Sequence, residues 1–180
     1  MPLQVRRAAP RDASVLAAVQ TASWREAFRG LMPEEYLASL DTEAFRAAWD
    51  DRITESRWPS SGTLVAEEAG RVVGYSRFYP TDDTDDDPAV VGMIGSMYTL
   101  PEVWGTGAGK ALMAGVVDTL AGAGYSQATL WVLEGNHRAR EFYRRQGWDG
   151  DGGLVEERGD GFPITKVRYR RPLPGAPAPS

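Results

Sequence analysis

Met97-Tyr98-Thr99-Leu100-Pro101-Glu102-Val103-Trp104-Gly105-Thr106-Gly107-Ala108-Gly109-Lys110-Ala111 sets three glycines at alternate positions between a strand pattern and a helix pattern. Ahead of the glycines, Val90, Val91, Met93, Ile94 and Met97 lead into Pro101. Behind them, Ala108, Leu112, Val116 and Leu120 recur at four-residue steps, with Ala111 and Gly115 alongside, as on one face of a helix. A strand, a glycine turn and a helix in that order gather unpaired backbone N–H groups at the positive end of a helix dipole, which suits a phosphate. Glycine permits positive φ there and keeps a Cβ out of the anion's way. Two familiar phosphate loops fail on spacing. A P-loop needs its first glycine where Trp104 stands, and Ser or Thr where Ala111 stands. A dinucleotide fingerprint needs glycine where Lys110 stands.

Farther along, Leu130-Trp131-Val132-Leu133 is a continuous apolar run, as expected of a strand buried on both faces. After it come Asn136, a good helix N-cap, and Gly147, a good residue just past a helix end. Ala139, Phe142 and Tyr143 fall on one face of the helix between them. Trp104-Gly105-Thr106-Gly107-Ala108-Gly109-Lys110-Ala111-Leu112, followed by Asn136, Ala139, Phe142, Tyr143, Gly147 and Trp148, resembles the GNAT superfamily of acetyl-CoA-dependent N-acetyltransferases over roughly residues 90–150. Ser23-Trp24-Arg25-Glu26-Ala27-Phe28-Arg29-Gly30-Leu31-Met32-Pro33 is similar to a bacterial subgroup of it. One departure stands out: the family's diphosphate motif opens with Gln or Arg, here Trp104, and often carries an Arg where Thr106 stands.

The chain has 180 residues, which suits one domain, and its 42% apolar and 25% charged content is that of an ordinary globular protein. No apolar run has the length of a membrane span, and the start lacks a secretory h-region, so a cytoplasmic protein is expected. The absence of cysteine excludes disulfides and a thiolate nucleophile, and a single histidine, His137, excludes a multi-His metal site; no metal is expected. A net charge of −5 argues against nucleic acid as partner. Asp82, Asp83, Asp85, Asp86 and Asp87 crowd one stretch, which reads as a solvated, mobile hairpin loop or as a rim that attracts a cationic amine.

The remaining pattern gives a first strand over 3–8, a helix from Pro10 to near Gly30, a short helix from Pro33 to Leu40, and a third capped by Asp41. A hairpin follows over 63–79, and a last strand pair surrounds Gly159-Asp160-Gly161, with a turn at 150–153. The fold expected is α/β (α+β): a single domain over 1–171 with a mixed, mostly antiparallel sheet flanked by helices, and a flexible Pro/Ala-rich tail over 172–180. The resemblance adds a splayed central strand pair.

The resemblance also implies the chemistry. The cofactor is acetyl-CoA, whose acetyl group passes directly to a primary amine of a small acceptor; the acidic stretch, not the resemblance, favours a cationic one. Its diphosphate is assigned to Trp104, Gly105, Thr106, Gly107, Ala108, Gly109 and Lys110, and its pantetheine arm to Met97, Tyr98, Thr99, Asn136, Ala139 and Tyr143. The N–H of Met97 or Tyr98 is assigned to the developing oxyanion. Tyr143 is the general acid for the leaving thiolate. Trp24 and Phe28 wall the acceptor site. No carboxylate stands on the strand before the glycines, so Glu26, Asp83, Glu134 and a water chain are the candidates for the base. A homodimer is the family habit. The competing reading is a non-catalytic acyl-CoA-binding regulatory module.

Overall fold

A computed structural model describes residues 3–175. Seven strands form one sheet: β1 (Gln4–Arg7), β2 (Gly62–Glu68), β3 (Arg71–Pro80), β4 (Val91–Thr99), β5 (Gln127–Leu133), β6 (Asp149–Gly159) and β7 (Phe162–Pro172). Their order in space is β1-β2-β3-β4-β5-β7-β6, and every neighbouring pair is antiparallel except β4–β5, which is parallel. Among the described residues, five α-helices complete the fold, α1 (Ala13–Ala27), α2 (Glu34–Ala38), α3 (Thr42–Thr54), α4 (Ala108–Gly122) and α5 (His137–Arg145), with single 3-10 turns at Pro10–Asp12 and Pro101–Val103.

Helices cover both faces of the sheet. Successive strand residues point to opposite faces. On β3, Tyr75 meets the Trp49 ring of α3 at 4.7 Å, whereas a Cβ on the adjacent Gly74 would touch Leu112 of α4. α4 buries Ala108, Leu112, Met113, Val116, Val117 and Leu120, the stripe its four-residue period requires. α1 buries Leu16, Val19 and Ser23 as the sequence predicts, with Ala27 half-buried. Asp41 caps α3 by accepting from the N–H groups of Glu43 and Ala44.

The parallel pair β4–β5 decides where a site can form. It is bonded only from Val91 to Ile94 against Gln127 to Leu130. Beyond that point β4 stays with β3 through Thr99, and β5 stays with β7 through Leu133, so the two strands part. The divergence begins at Gly95. Phe78 pairs with Ile94 and Arg77 with Ser96, which leaves Gly95 as the extra residue of a β-bulge. A Cβ at Gly95 would overlap the Tyr79 ring, so any other residue at the bend would have to displace that ring.

Three expectations need correction. Residues 150–153 are not a turn before β6 but a bulge within it: Gly150 pairs with Tyr169 and Leu154 with Val167, so Asp151, Gly152 and Gly153 stand opposite Arg168. The sheet takes in Pro172, and Leu173 is buried with its N–H on the Ser126 carbonyl, so the ordered chain runs past residue 171. The rest of the expected tail, 176–180, lies outside the described residues. Third, the acidic stretch is not a free solvated loop. Arg168 and Arg170, two apart on β7, grip it: Arg168 bonds Asp85 through both terminal nitrogens at 2.7 Å, and Arg170 bonds Asp86 at 2.8 Å. Asp83 accepts from Arg168 and from the Trp131 indole N–H, the latter at 3.0 Å. Those partners lie more than 80 residues apart in the chain for the arginines, beyond the reach of local pattern.

Candidate active site

The gap between the parted strands opens into a cleft of about 970 Å³. Its walls include Met97, Tyr98 and Thr99 of β4, Trp131 to Leu133 of β5, Trp24 of α1 and Phe28 just past its end, and Asn136, Ala139 and Tyr143 at α5. Trp104, Gly105, Gly107, Gly109 and Lys110 line its mouth. Thus most of the residues singled out in the sequence share one cavity.

At the mouth, Gly105 and Gly107 have φ of 82° and 104°, and a Cβ on either would point into open space. Positive φ makes glycine necessary there. Gly107 is the N-cap of α4, and the first helical bond runs from the Ala111 N–H to the Gly107 carbonyl. The N–H groups of Ala108, Gly109 and Lys110 therefore have no acceptor within the helix. That geometry fits a diphosphate. Ala108 contributes only its backbone, because its side chain is buried in the core. Thr106 turns its hydroxyl back onto the Val103 carbonyl at 2.8 Å and does not line the cleft. Trp104 points inward, its indole N–H donating to the Thr99 carbonyl at 3.0 Å.

On β4 the backbone alternation can be read directly. Leu100 donates its N–H to the Val73 carbonyl, so Leu100 and Tyr98 turn their backbone groups toward β3. Met97 and Thr99 turn theirs toward the gap. The Thr99 carbonyl is taken there by Ser23 Oγ at 2.9 Å as well as by Trp104. The Met97 N–H is the one left facing the gap at mid-strand, while that of Tyr98 is turned to β3. Tyr98 contributes its side chain, which packs on Trp24, Phe28 and Tyr75. Burial pushes its hydroxyl well above the ordinary range.

α5 is fixed at both ends. The Asn136 side chain accepts from the Ala139 N–H at 3.1 Å. At the other end the Gly147 N–H bonds the Arg144 carbonyl and the Trp148 N–H bonds the Tyr143 carbonyl, the pair of bonds of a Schellman cap, with Gly147 at φ 83°. Trp148, fully buried, anchors the exit. Between these ends Phe142 and Tyr143 pack on the core, and Phe142 lies against Gly109 of α4. The cap leaves Asn136 only its amide N–H groups for a ligand, and leaves Ala139 only its methyl. Burial pushes the Tyr143 hydroxyl up to about 12, against the pull of the Arg138 cation. At neutral pH it holds its proton.

The carboxylates considered for the base are placed less favourably. Glu26 is bonded to Arg29, and neither it nor Glu134 lines the cleft. Asp83 lines a smaller adjoining cavity and is held by Trp131 and Arg168. Its neighbours Asp85 and Asp86 bring ligand atoms within 4.8 Å of it, yet all three carboxylates are bonded to arginine. Sequence reading missed two parts of the cleft. One is the β6–β7 tip, where Asp160 and Phe162 line the wall and the Phe162 ring meets Tyr36 of α2 at 4.9 Å. The other is Arg138, whose guanidinium lies 3.3 Å from the Trp104 ring centroid. Neither carries a local signal, because each contact joins distant segments.

Comparison with known proteins agrees with this geometry. The acetyltransferase (GNAT) family profile matches residues 22–148. The chain is 32% identical to the uncharacterized N-acetyltransferase YuaI of Bacillus subtilis, over 73% of this chain and 72% of that protein. It is 33% identical to an uncharacterized N-acetyltransferase of Mycobacterium tuberculosis, over 76% and 83%. Among solved structures, the PaiA N-acetyltransferase of Thermoplasma acidophilum in complex with coenzyme A superposes with a TM-score of 0.75 at 20% identity, covering 96% of this chain and all of that one. YncA of Salmonella typhimurium with acetyl-CoA gives 0.72 at 18% identity, covering 100% and 99%. The chain belongs to the GNAT family of acetyltransferases. It is an acetyl-CoA-dependent N-acetyltransferase. No helix among the described residues is long and apolar enough to cross a membrane.

Proposed function

We propose that this enzyme moves the acetyl group directly to a primary amine of a small acceptor, with Tyr143 as general acid. The observation that carries this reading is a protonated, half-buried Tyr143 in the same cleft as the unpaired edge of β4 and the free N–H groups of α4. Acetyl-CoA, when bound, supplies the thioester whose acetyl group is transferred. The α4 N-terminus would hold its diphosphate, and the open edge of β4 would bond its extended arm as an added strand does. The Met97 N–H would donate to the carbonyl oxygen as negative charge builds there. The amine nitrogen forms the new C–N bond, the C–S bond breaks, and Tyr143 gives its proton to the sulfur. The amine loses a proton to water in the cleft, and Tyr143 regains one from solvent. The chain has no cysteine to carry a thioester-linked acyl-enzyme, and the amine attacks the acetyl carbon directly.

Trp24 of α1 and Phe28 at its C-cap, with Tyr36 and the β6–β7 tip, enclose the end of the cleft suited to the acceptor. The Trp24 indole N–H is buried and bears on the Tyr98 hydroxyl, so Trp24 gives the wall its ring face. Cleft-lining Asp160 favours a cationic acceptor.

Calorimetric titration with acetyl-CoA, with ATP and NAD as controls, tests the cofactor site. Micromolar binding of acetyl-CoA alone is expected. A panel of amines is then assayed for thiol release. Tyr143→Phe is expected to lower kcat about 10²–10⁴-fold and leave acetyl-CoA affinity within about twofold. A wild-type protein that binds acetyl-CoA and releases no thiol with any amine would support the regulatory-module reading instead.

A further inference from the structure

The resemblance leads one to expect Gln or Arg at position 104 and often Arg at 106, and this chain has Trp104 and Thr106. Neither position supplies a cation here, and Lys110 is the one cationic side chain left in the loop. The fold brings a second in from another element. Arg138, in the first turn of α5, sets its guanidinium over the Trp104 indole, 3.3 Å from the ring centroid. That indole is itself pinned, because its N–H donates to the Thr99 carbonyl, which also accepts from Ser23. The guanidinium makes no ion pair and no hydrogen bond among the described residues. The titratable groups that bear on it are Tyr143 and Glu26, and the Glu26 carboxylate is bonded to Arg29. An uncommitted cation thus stands on a fixed platform beside Gly105, in the wall that also holds Gly107, Gly109 and Lys110.

We infer that Arg138 is a side-chain ligand of the cofactor's diphosphate, with Trp104 as the platform that orients it. Guanidinium is suited to both tasks at once. Its π-face rests on the indole while its N–H edge offers paired donors to phosphate oxygens. Lysine has no such plane. The pairing also spans the gap, since Trp104 follows β4 and Arg138 follows β5. A diphosphate held by Arg138 and by the α4 N–H groups would tie the two parted strands together at the mouth of the cleft.

This inference rests on the acetyl-CoA reading above, and the test separates the two. Affinities of the wild type, R138A, R138K and W104L are measured by calorimetry for acetyl-CoA and for its 3′-dephospho form, which keeps the diphosphate. R138A is expected to weaken both ligands by about tenfold or more, as loss of a charge-assisted contact does. R138K is expected to recover part of that affinity, and W104L to lose about threefold or more on both ligands. Thermal melting of each variant confirms that the fold is kept, which the surface placement of Arg138 favours. Should R138A fail to fold, R138K alone decides, since full wild-type affinity in it would overturn the role of the planar fork. Unchanged affinity in R138A would sink the inference and leave the transferase reading standing. A loss confined to acetyl-CoA would also overturn it, because Arg138 would then be reading the 3′-phosphate. Failure of the wild type to bind either ligand would remove the acetyl-CoA reading first, and this one with it.

Discussion

The two halves of the β4–β5 pair are built from the same two strands and do opposite things. From Val91 to Ile94 the strands are bonded, and Met93, Ile94, Ala128, Thr129 and Leu130 are all buried. From Gly95 onward they face open space, and Ser96, Met97, Tyr98 and Thr99 are only half-buried. One bulge residue separates the halves. Buried backbone groups must be paired, so a dry interior could not tolerate such a gap. Here the open half faces solvent in a cleft, where water or an extended ligand satisfies the free N–H and C=O groups. The closed half holds the sheet together, and the open half offers an internal strand edge to a ligand.

Changes confined to one half should separate stability from binding. The largest expected effect is in the closed half: Met93→Ala removes a side chain that is 3% exposed and should cost about 2–5 kcal/mol by chemical denaturation. Acetyl-CoA affinity of the folded fraction should be unchanged. Gly95→Val acts at the boundary. Its side chain would displace the Tyr79 ring, costing about 1–3 kcal/mol, and should also weaken acetyl-CoA binding because the angle of the gap moves with the bend. Loss of stability with unaltered binding would show that the bulge does not set the gap.

The pH profile should divide along the same line. Burial raises Tyr143, along with Tyr75, Tyr98 and Tyr125, above the ordinary tyrosine range. Unfolded tyrosines ionise near pH ~10, while the folded ones keep their protons, so the unfolded state binds fewer protons above that pH. Stability should therefore fall as pH rises from about 10 toward 12, whereas turnover should show no loss assignable to Tyr143 between pH 7 and 10. On the acid side, Arg168 holds the Asp85 carboxyl down at about 2, and Arg6 and the Ala9 N–H lower Asp12 against the opposing effect of its burial. Their contribution is present above the unfolded value near ~4 and should be lost as pH falls below it. The smallest effect belongs to Asp83→Asn. It removes one of several carboxylates around Arg168 and keeps an oxygen for the Trp131 indole. A stability change of about 1 kcal/mol or less, shrinking with added salt, is expected.

Much of the closed half was legible in the sequence. The apolar runs of β4 and β5 and the four-residue stripe of α4 report burial against near neighbours, and that pattern is local. So were the ends of α5, since Asn136 and Gly147 act within a few residues of themselves. The bulge at Gly95 was not, because its signature is the Tyr79 ring of another strand. Nor was the docking of the acidic loop. A run of aspartates looks solvated until Arg168 and Arg170 are known to face it.

By itself the sequence determined the glycine turn at the head of α4, the capped helix that carries Tyr143, the alternation of strands and helices, and the family resemblance built on them. These depend on backbone preferences and periodicities that act over a few residues. Only the tertiary structure decided which backbone N–H faces the gap, that the Tyr143 proton is held by burial, that Asp83 serves the loop, and that Arg138 rests on Trp104. Those facts depend on register, desolvation and contacts between segments far apart in the chain, and none of the three has a local code in the residues that take part.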